Sequence, residues 1–162
     1  MSSQVIPHDP VASRVNPDVP LAFRGVERMQ ILCLLQAEEG VASETDRARI
    51  CEMVSRLATH DNAIPVSVIS LGDAQVMTAG RLTLLVHASL AVDGGVAFTM
   101  RPFRPMLDGS EVLFGSRPRV AQFDDDAALE TAIAASLDEI LPWRARNTAP
   151  RKIDSPTRRG NE

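Results

Sequence analysis

Alternation of apolar and polar positions predicts that residues 81–105 form two β-strands joined by a turn. The even-numbered positions of the first strand are apolar, whereas the odd-numbered positions carry a mixture of side chains. The apolar positions continue on the returning strand, so the hairpin has one dry face and one mixed face. The dry face comprises Leu82, Leu84, Val86, Ala88, Leu90, Val92, Val96, Phe98 and Met100.

The length of the turn decides which residues lie opposite each other across this hairpin. A three-residue loop at 93–95 pairs apolar with apolar positions, whereas a two-residue loop would set apolar beside polar ones. In the three-residue register, His87 lies opposite Arg101 and Ser89 lies opposite Thr99 on the mixed face. Prolines at positions 102 and 105 are expected to end the returning strand.

Two segments have helical periodicity. Residues 44–60 have an apolar stripe, Ser43 as a natural N-cap and acidic residues in the first turn. Residues 124–143 begin with three aspartates, one of which would cap the second helix, and Pro142 would stop it. Trp143 is then expected to fold back onto the body. The stripes predicted to be buried are Ile50, Val54, Leu57 and Ala58 in the first helix, and Leu129, Ile133, Ser136, Leu137, Ile140 and Leu141 in the second.

Shorter segments complete the sheet. Residues 64–71 are rich in β-branched side chains and predict a strand, and residues 119–123 predict a short edge strand. Residues 25–39 contain an apolar run that fits either a helix or a central strand, and we favour a strand over 29–37. If this run were helical, it would form a helical hairpin with the next helix and distantly resemble a winged helix.

The order of elements predicts an α/β (α+β) fold. We expect a two-layer sandwich in which a mixed, mainly antiparallel sheet of four or five strands carries two helices on one face. The other face would be left partly open. Residues 21–143 form the predicted single globular domain, between a disordered tail over 1–20 and a basic disordered tail over 144–162.

Charge is divided between the body and the C-terminal tail. The whole chain of 162 residues carries −4. Residues 144–162 contain six arginine and lysine residues and two acidic residues, so the tail carries +4 and residues 1–143 carry −8. A basic tail on an acidic body suits nucleic acid, an anionic membrane surface or an acidic partner, and it also serves simply to keep a chain soluble.

Cofactor and metal chemistry find little support in the sequence. Cys33 and Cys51 stand in apolar contexts typical of small core residues, although one disulfide between them is compatible with the sequence. Cysteine and histidine lack the spacing of a zinc site, and Asp124–Asp126 is better explained as a helix cap than as a metal site. No nucleotide-binding or hydrolase motif is present, so we predict no cofactor, no metal and no catalytic residue.

The mixed face of the hairpin carries the candidate site. Histidine is a proton carrier near neutral pH, and arginine binds carboxylate or phosphate, but an alternating polar face is also what plain solvation produces. Four arginines between 101 and 119 likewise suit an anion pocket or pairing with local acids such as Asp108, Glu111 and Asp124–Asp126. The candidate ligand- or partner-binding residues are His87, Ser89, Thr99, Arg101, Phe103 and Arg104.

These features favour a non-enzymatic binding or assembly module over an enzyme. It would engage a protein partner or a second copy of itself through the open sheet face or an edge strand. The alternatives are a small-molecule anion binder or small enzyme using His87 and Arg101, and nucleic-acid binding through the basic tail. The chain has no secretory signal and no apolar run long enough to span a membrane, so a cytoplasmic protein is expected.

Overall fold

A computed structural model of the chain describes residues 20–60, 62, 64–105 and 115–144. The elements are β1 (Arg28–Ala37), α1 (Glu44–Thr59), β2 (Val66–Val68), β3 (Arg81–Leu90), β4 (Gly95–Phe103), β5 (Arg119–Gln122) and α2 (Asp126–Ile140). The five strands form one mixed sheet in the order β2-β1-β3-β4-β5, and both helices pack on the same face. This two-layer arrangement with a mixed sheet confirms the predicted fold class, although two of its four strand pairings are parallel, so the sheet is not mainly antiparallel. Residues 1–19 and 145–162 lie outside the described residues, so disorder of the two tails stays a prediction.

The ambiguous apolar run is a strand, as we favoured. β1 pairs in parallel with both β2 and β3, which places it inside the sheet. Met29, Ile31 and Cys33 are buried beneath the helices, and Leu32 is buried on the opposite face. A strand covered from both sides needs apolar residues at successive positions. The helical alternative, and with it the likeness to a winged helix, is therefore wrong.

Both predicted helices are present, with the expected caps. Ser43 Oγ accepts a hydrogen bond from Asp46 N at 3.1 Å, and a side-chain oxygen of Asp125 accepts one from Ala128 N at 3.0 Å. Arg47 donates to the Glu44 carboxylate and thereby holds the pKa of that group below its usual value. The buried residues are Ile50, Cys51, Met53, Val54 and Ala58 in α1, and Leu129, Ile133, Ser136, Leu137 and Ile140 in α2.

The segment after α2 returns to the body, as the sequence predicts. Leu141, directly after the helix, is fully buried. The Trp143 ring meets the Phe23 ring edge-on, with 5.5 Å between the ring centroids. An edge-to-face pair of this kind adds to the burial of both rings. This contact ties the start of the described domain to its end.

The paired residues of β3 and β4 keep their predicted faces, but the predicted pairing is shifted by two residues. Val92, which we predicted on the dry face, lies in the loop and is 66% exposed. His87 lies opposite Thr99, and not opposite Arg101. Ser89 lies opposite Ala97, and not opposite Thr99. Because side chains alternate with a period of two, a shift of two residues leaves each of them on its predicted face.

The cause of this shift is the position of the loop. The loop has the predicted three residues, but it occupies 92–94, because Ala91 N donates to Gly95 O at 2.8 Å. Gly94 takes the left-handed conformation at φ +83° that the turn requires. The Asp93 carboxylate accepts a bond from Gly95 N at 2.9 Å and stabilises the turn locally. Both registers pair the same number of apolar residues, so apolar pairing does not distinguish them, and these turn contacts occur in the observed one.

β4 continues through Pro102 to Phe103, so the prediction that Pro102 ends the strand is wrong. Met100 N donates to Ser116 Oγ at 2.9 Å, and Met100 O accepts from Ser116 N at 2.7 Å. Even-numbered residues of β4 therefore direct their backbone groups away from β3. Pro102 has the same parity, so its missing N–H removes no hydrogen bond to β3.

The two edge strands are short. The strand predicted over 64–71 is confirmed, although only three of its residues are paired with β1. The predicted edge strand at 119–123 is confirmed as β5, which pairs with the start of β4. The sheet is thus bounded by β2 on one side and β5 on the other.

A disulfide joins the two layers. Cys33 of β1 and Cys51 of α1 are bonded, with their Cα atoms 5.8 Å apart. Both are core residues, as predicted, with at most 3% of their surface exposed. They point toward each other because Cys33 lies on the helix-covered face of β1, and Cys51 lies on the buried stripe of α1. The bond that the sequence only allowed is therefore made.

Candidate interaction surface

The sheet face opposite the helices is divided into a covered half and an open half. The covered half lies beneath a 3-10 turn, Ala74–Met77. Gln30 and Thr83 are completely buried there. With the Gln30 amide oriented to satisfy both of its polar atoms, Nε2 donates to Gln75 O at 3.1 Å and Oε1 accepts from Arg81 Nη1 at 2.7 Å. This half is a closed polar network and belongs to the fold.

The open half is a shallow pocket of about 260 Å³ at the other end of the strands. Neighbouring strands contribute side chains in rows that run across the sheet, such as Leu34, His87 and Thr99 in one row and Gln36, Ser89 and Ala97 in the next. We call this surface the His87 face. It consists of Leu34, Gln36, His87, Ser89, Ala97, Thr99, Pro118 and Val120.

Among the described residues, those that line the His87 face include no aspartate, glutamate, lysine or arginine, although charged residues make up 23% of the chain. His87 is the only ionisable side chain in this described lining. Ser89, Ala97 and Thr99 are small, so another backbone can approach the sheet closely. Val120 projects beside Ala97 and is 73% exposed. The result is a mixed apolar and hydroxyl-bearing surface without fixed charge.

Three of the six predicted site residues come together, and three do not. His87, Ser89 and Thr99 line the pocket. Arg101 is exposed on the same side of the sheet, but it lies opposite Leu85 and outside the His87 face. Phe103 is half-buried near the covered half, opposite Thr83.

Arg104 turns away from this surface. Its Nη1 donates to the backbone oxygen of Arg24, and to that of Ala22 at 3.4 Å. A guanidinium that bonds two carbonyls holds the segment before β1 in place. Arg104 thus has a structural contact that its sequence context did not indicate.

The arginines near β5 pair with an acid. Arg117 Nε lies 3.5 Å from Glu139 of α2, and Arg119 Nη2 lies 3.0 Å from the same carboxylate. Pairing with an acid was the alternative to an anion pocket, but Glu139 was not among the acids we named. Asp108 and Glu111 lie outside the described residues.

The three aspartates at the start of α2 are partly accounted for by helix and ion-pair contacts. Asp125 caps α2, and Asp126 pairs with Arg49 at 2.5 Å. Within the described ranges, no group of three or more histidine, cysteine or acidic side chains could hold a metal ion. In the same ranges, no helix is long and apolar enough to cross a membrane.

Sequence reasoning missed Leu34, Gln36, Pro118 and Val120 as parts of this face. They come from β1 and from the start of β5, far from the hairpin in sequence. They meet it because β1 inserts between β2 and β3 through a parallel crossover, which no local pattern encodes. The alternation of side chains along β1 was the only available signal. It places Leu34 and Gln36 on one face of the strand, and this is the His87 side once β1 and β3 are known to be adjacent.

Comparison with known proteins does not assign a family. No protein-family model matches the chain, and no curated protein matches it in sequence. Its fold is similar to that of the PelC dodecamer from Paraburkholderia phytofirmans, with a TM-score of 0.49, 12% identity, and coverage of 75% of this chain and 94% of that chain. A point-mutant PelC dodecamer from the same organism matches with a TM-score of 0.47 and 14% identity, and the match covers 74% of this chain and 92% of that chain. Likeness at this level assigns no function to the chain.

Proposed function

We propose that this protein is a non-enzymatic binding module that holds the surface of a protein, either a partner or a second copy, on the His87 face. The observation that carries the proposal is that the described residues lining this face include no charged side chain, in a chain that is otherwise rich in them. The centres of protein–protein interfaces are depleted of charge in the same way. Removing such a surface from water costs little electrostatic free energy.

The support beneath this face suits binding without rearrangement. Its side chains stand on four adjacent strands, β1, β3, β4 and β5, and the opposite side of those strands is the buried core, including Val86, Ala88 and Phe98. The surface is therefore rigid before a partner arrives, which limits the entropy lost on binding. Val120 and Leu34 supply apolar area, and Ser89 and Thr99 supply hydroxyl groups.

The pocket chemistry favours contact over catalysis. His87 is accompanied by hydroxyl and aliphatic groups, and no carboxylate in the pocket lining orients its ring. The alternative, an anion site at His87 and Arg101, has less support because the observed register separates these residues by one cross-strand pair. Nucleic-acid binding by the basic tail concerns residues beyond 144, outside the described part of the chain.

Site-specific photo-crosslinking tests the proposal. A photoreactive amino acid placed at Val120, in the cells that make the protein, is expected to give discrete protein adducts. A probe at Val41, which is 97% exposed in the loop before α1, is the matched control. Adding Ala97→Glu should remove the Val120 adducts, because a carboxylate would be buried in the interface. Adduct mass separates a second copy from another protein.

The proposal fails if Val120 and Val41 give the same adducts, or if Val120 gives none. It also fails if the adducts from Val120 survive Ala97→Glu while the variant keeps the thermal stability of the parent protein. The second comparison requires that the variant is folded, which circular dichroism establishes.

We also propose that the protein folds in an oxidising compartment. The buried Cys33–Cys51 bond supports this, because disulfides persist mainly outside the reducing cytosol. The proposal departs from the cytoplasmic location that the sequence led us to expect. The test is to lyse cells directly in a denaturant that contains a thiol-alkylating reagent. Cys33 and Cys51 should remain unmodified, whereas alkylation of both thiols would contradict the proposed oxidising compartment.

A further inference from the structure

The outer edge of β2 carries backbone groups that no strand among the described residues pairs with. Met29 N donates to Pro65 O at 3.0 Å, and Ile69 N donates to Ile31 O at 2.9 Å. Odd-numbered residues around β2 therefore direct their backbone groups toward β1. Val66 and Val68 have the opposite parity, so their N–H and C=O groups point outward, where the described part of the sheet ends. Such an edge is a template for a further strand.

A groove runs between this edge and α1. It encloses about 440 Å³ and is lined by Ala48, Cys51 and Ser55 of the helix together with Val68 of the strand. These three helix side chains are small, and the longer side chains of α1 that line the groove are charged. Val68 points toward the helix layer, yet 47% of its surface is exposed. The edge strand and the groove thus offer hydrogen-bonding groups and apolar area side by side.

The edge is complementary to itself. If two copies meet across a two-fold axis at Ser67, Val66 of each copy lies opposite Val68 of the other as a hydrogen-bonded antiparallel pair. Two such pairs give about four backbone hydrogen bonds. The Val66 side chain of the second copy then lies beside Val68, on the groove side of the sheet. No other strand in the described ranges occupies this position.

Two of the charged side chains that line the groove are paired within the same chain. Arg47 pairs with Glu44 of α1, and Arg56 pairs with Glu130 of α2. Neither positive charge is therefore left uncompensated where a second copy would pack, and the small residues of the groove are the surface that it would cover.

We infer that β2 and α1 form a symmetric homodimer interface, through which two copies join their sheets edge to edge and pack their first helices together. The joined sheet would contain ten strands, since each copy contributes five. This interface lies at the sheet edge and is separate from the His87 face, so either proposal can fail without the other.

The oligomeric state tests the inference directly. The wild-type protein is expected to sediment as a dimer at micromolar concentration and to dissociate on dilution. Val68→Lys should raise the dissociation constant at least tenfold, because an ammonium group would enter the groove. Val41→Lys, at a more exposed valine in the loop before α1, should leave it unchanged.

Amide hydrogen exchange gives a readout that does not depend on variants. The Val66 and Val68 amides point away from β1, so they should exchange quickly in the dilute monomer and slowly in the dimer. The Ser67 amide faces β1 and should be protected at both concentrations. A wild-type protein that remains monomeric would overturn the inference. So would a dimer that Val68→Lys leaves intact, or a dimer in which Val66 and Val68 exchange as in the monomer.

Discussion

Breaking the bond between Cys33 and Cys51 should destabilise the protein by an amount that the structure allows us to calculate. The bond closes a loop of 18 residues and ties the centre of the sheet to the helix layer. The entropy that such a cross-link removes from the unfolded chain corresponds to about 3 kcal/mol of folding free energy. For a domain of this size, that loss lowers the melting temperature by roughly 10 °C.

Two perturbations separate the cross-link from the packing of its sulfur atoms. Reducing the wild-type protein removes the bond but keeps both sulfurs in the core. The double variant Cys33→Ala and Cys51→Ala also removes the sulfurs, which costs about 1 kcal/mol more for each buried atom of this size. We therefore expect the order of stability to be oxidised wild type, reduced wild type and double variant.

Urea denaturation followed by circular dichroism measures all three states. The oxidised protein should lose about 3 kcal/mol when a reductant is added. The double variant should not respond to the reductant, which controls for effects of the reagent itself. The reasoning is refuted if the oxidised and reduced proteins unfold at the same urea concentration, or if mass spectrometry finds two free thiols in the protein before any reductant is added.

Two further predictions concern the helices. Ser43→Ala should destabilise the protein by about 1 kcal/mol, because Asp46 N would lose its capping oxygen. Ser70→Ala, at an exposed serine, is the control. An equal loss of stability in the control would contradict the assignment of Ser43 as the helix cap. Ser136→Ala should stabilise the protein by about 1 kcal/mol, because the buried Ser136 hydroxyl finds no hydrogen-bond partner among the described residues. A clear loss of stability in Ser136→Ala would show that the hydroxyl is bonded after all.

The division of the second sheet face has a simple structural origin. The connection between β2 and β3 contains the 3-10 turn Ala74–Met77, which returns across the start of β1 and β3. It brings Gln75 to Gln30 and buries that end of the face. The turn does not extend over the other end, where His87 and Ser89 stay exposed. The open surface is what this crossover leaves uncovered.

Periodicity alone determined the main strands and helices of the fold and which side of each is buried. The alternation in β3 and β4 and the stripes of α1 and α2 are local signals, because burying one side of a strand or helix requires apolar residues at its period. For the same reason the buried residues of α2 could be named in advance. The caps at Ser43 and Asp125 also followed from local chemistry.

Only the tertiary structure decided the hairpin register, the disulfide and the composition of the His87 face. The register depends on the hydrogen bonds of one turn, and two registers with the same parity bury almost the same side chains. The disulfide and the face depend on which strands become neighbours. Strand order is settled by long-range packing, and a single sequence carries no local trace of it. That is why His87 was found from its own strand, whereas Leu34, Gln36 and Val120 were not.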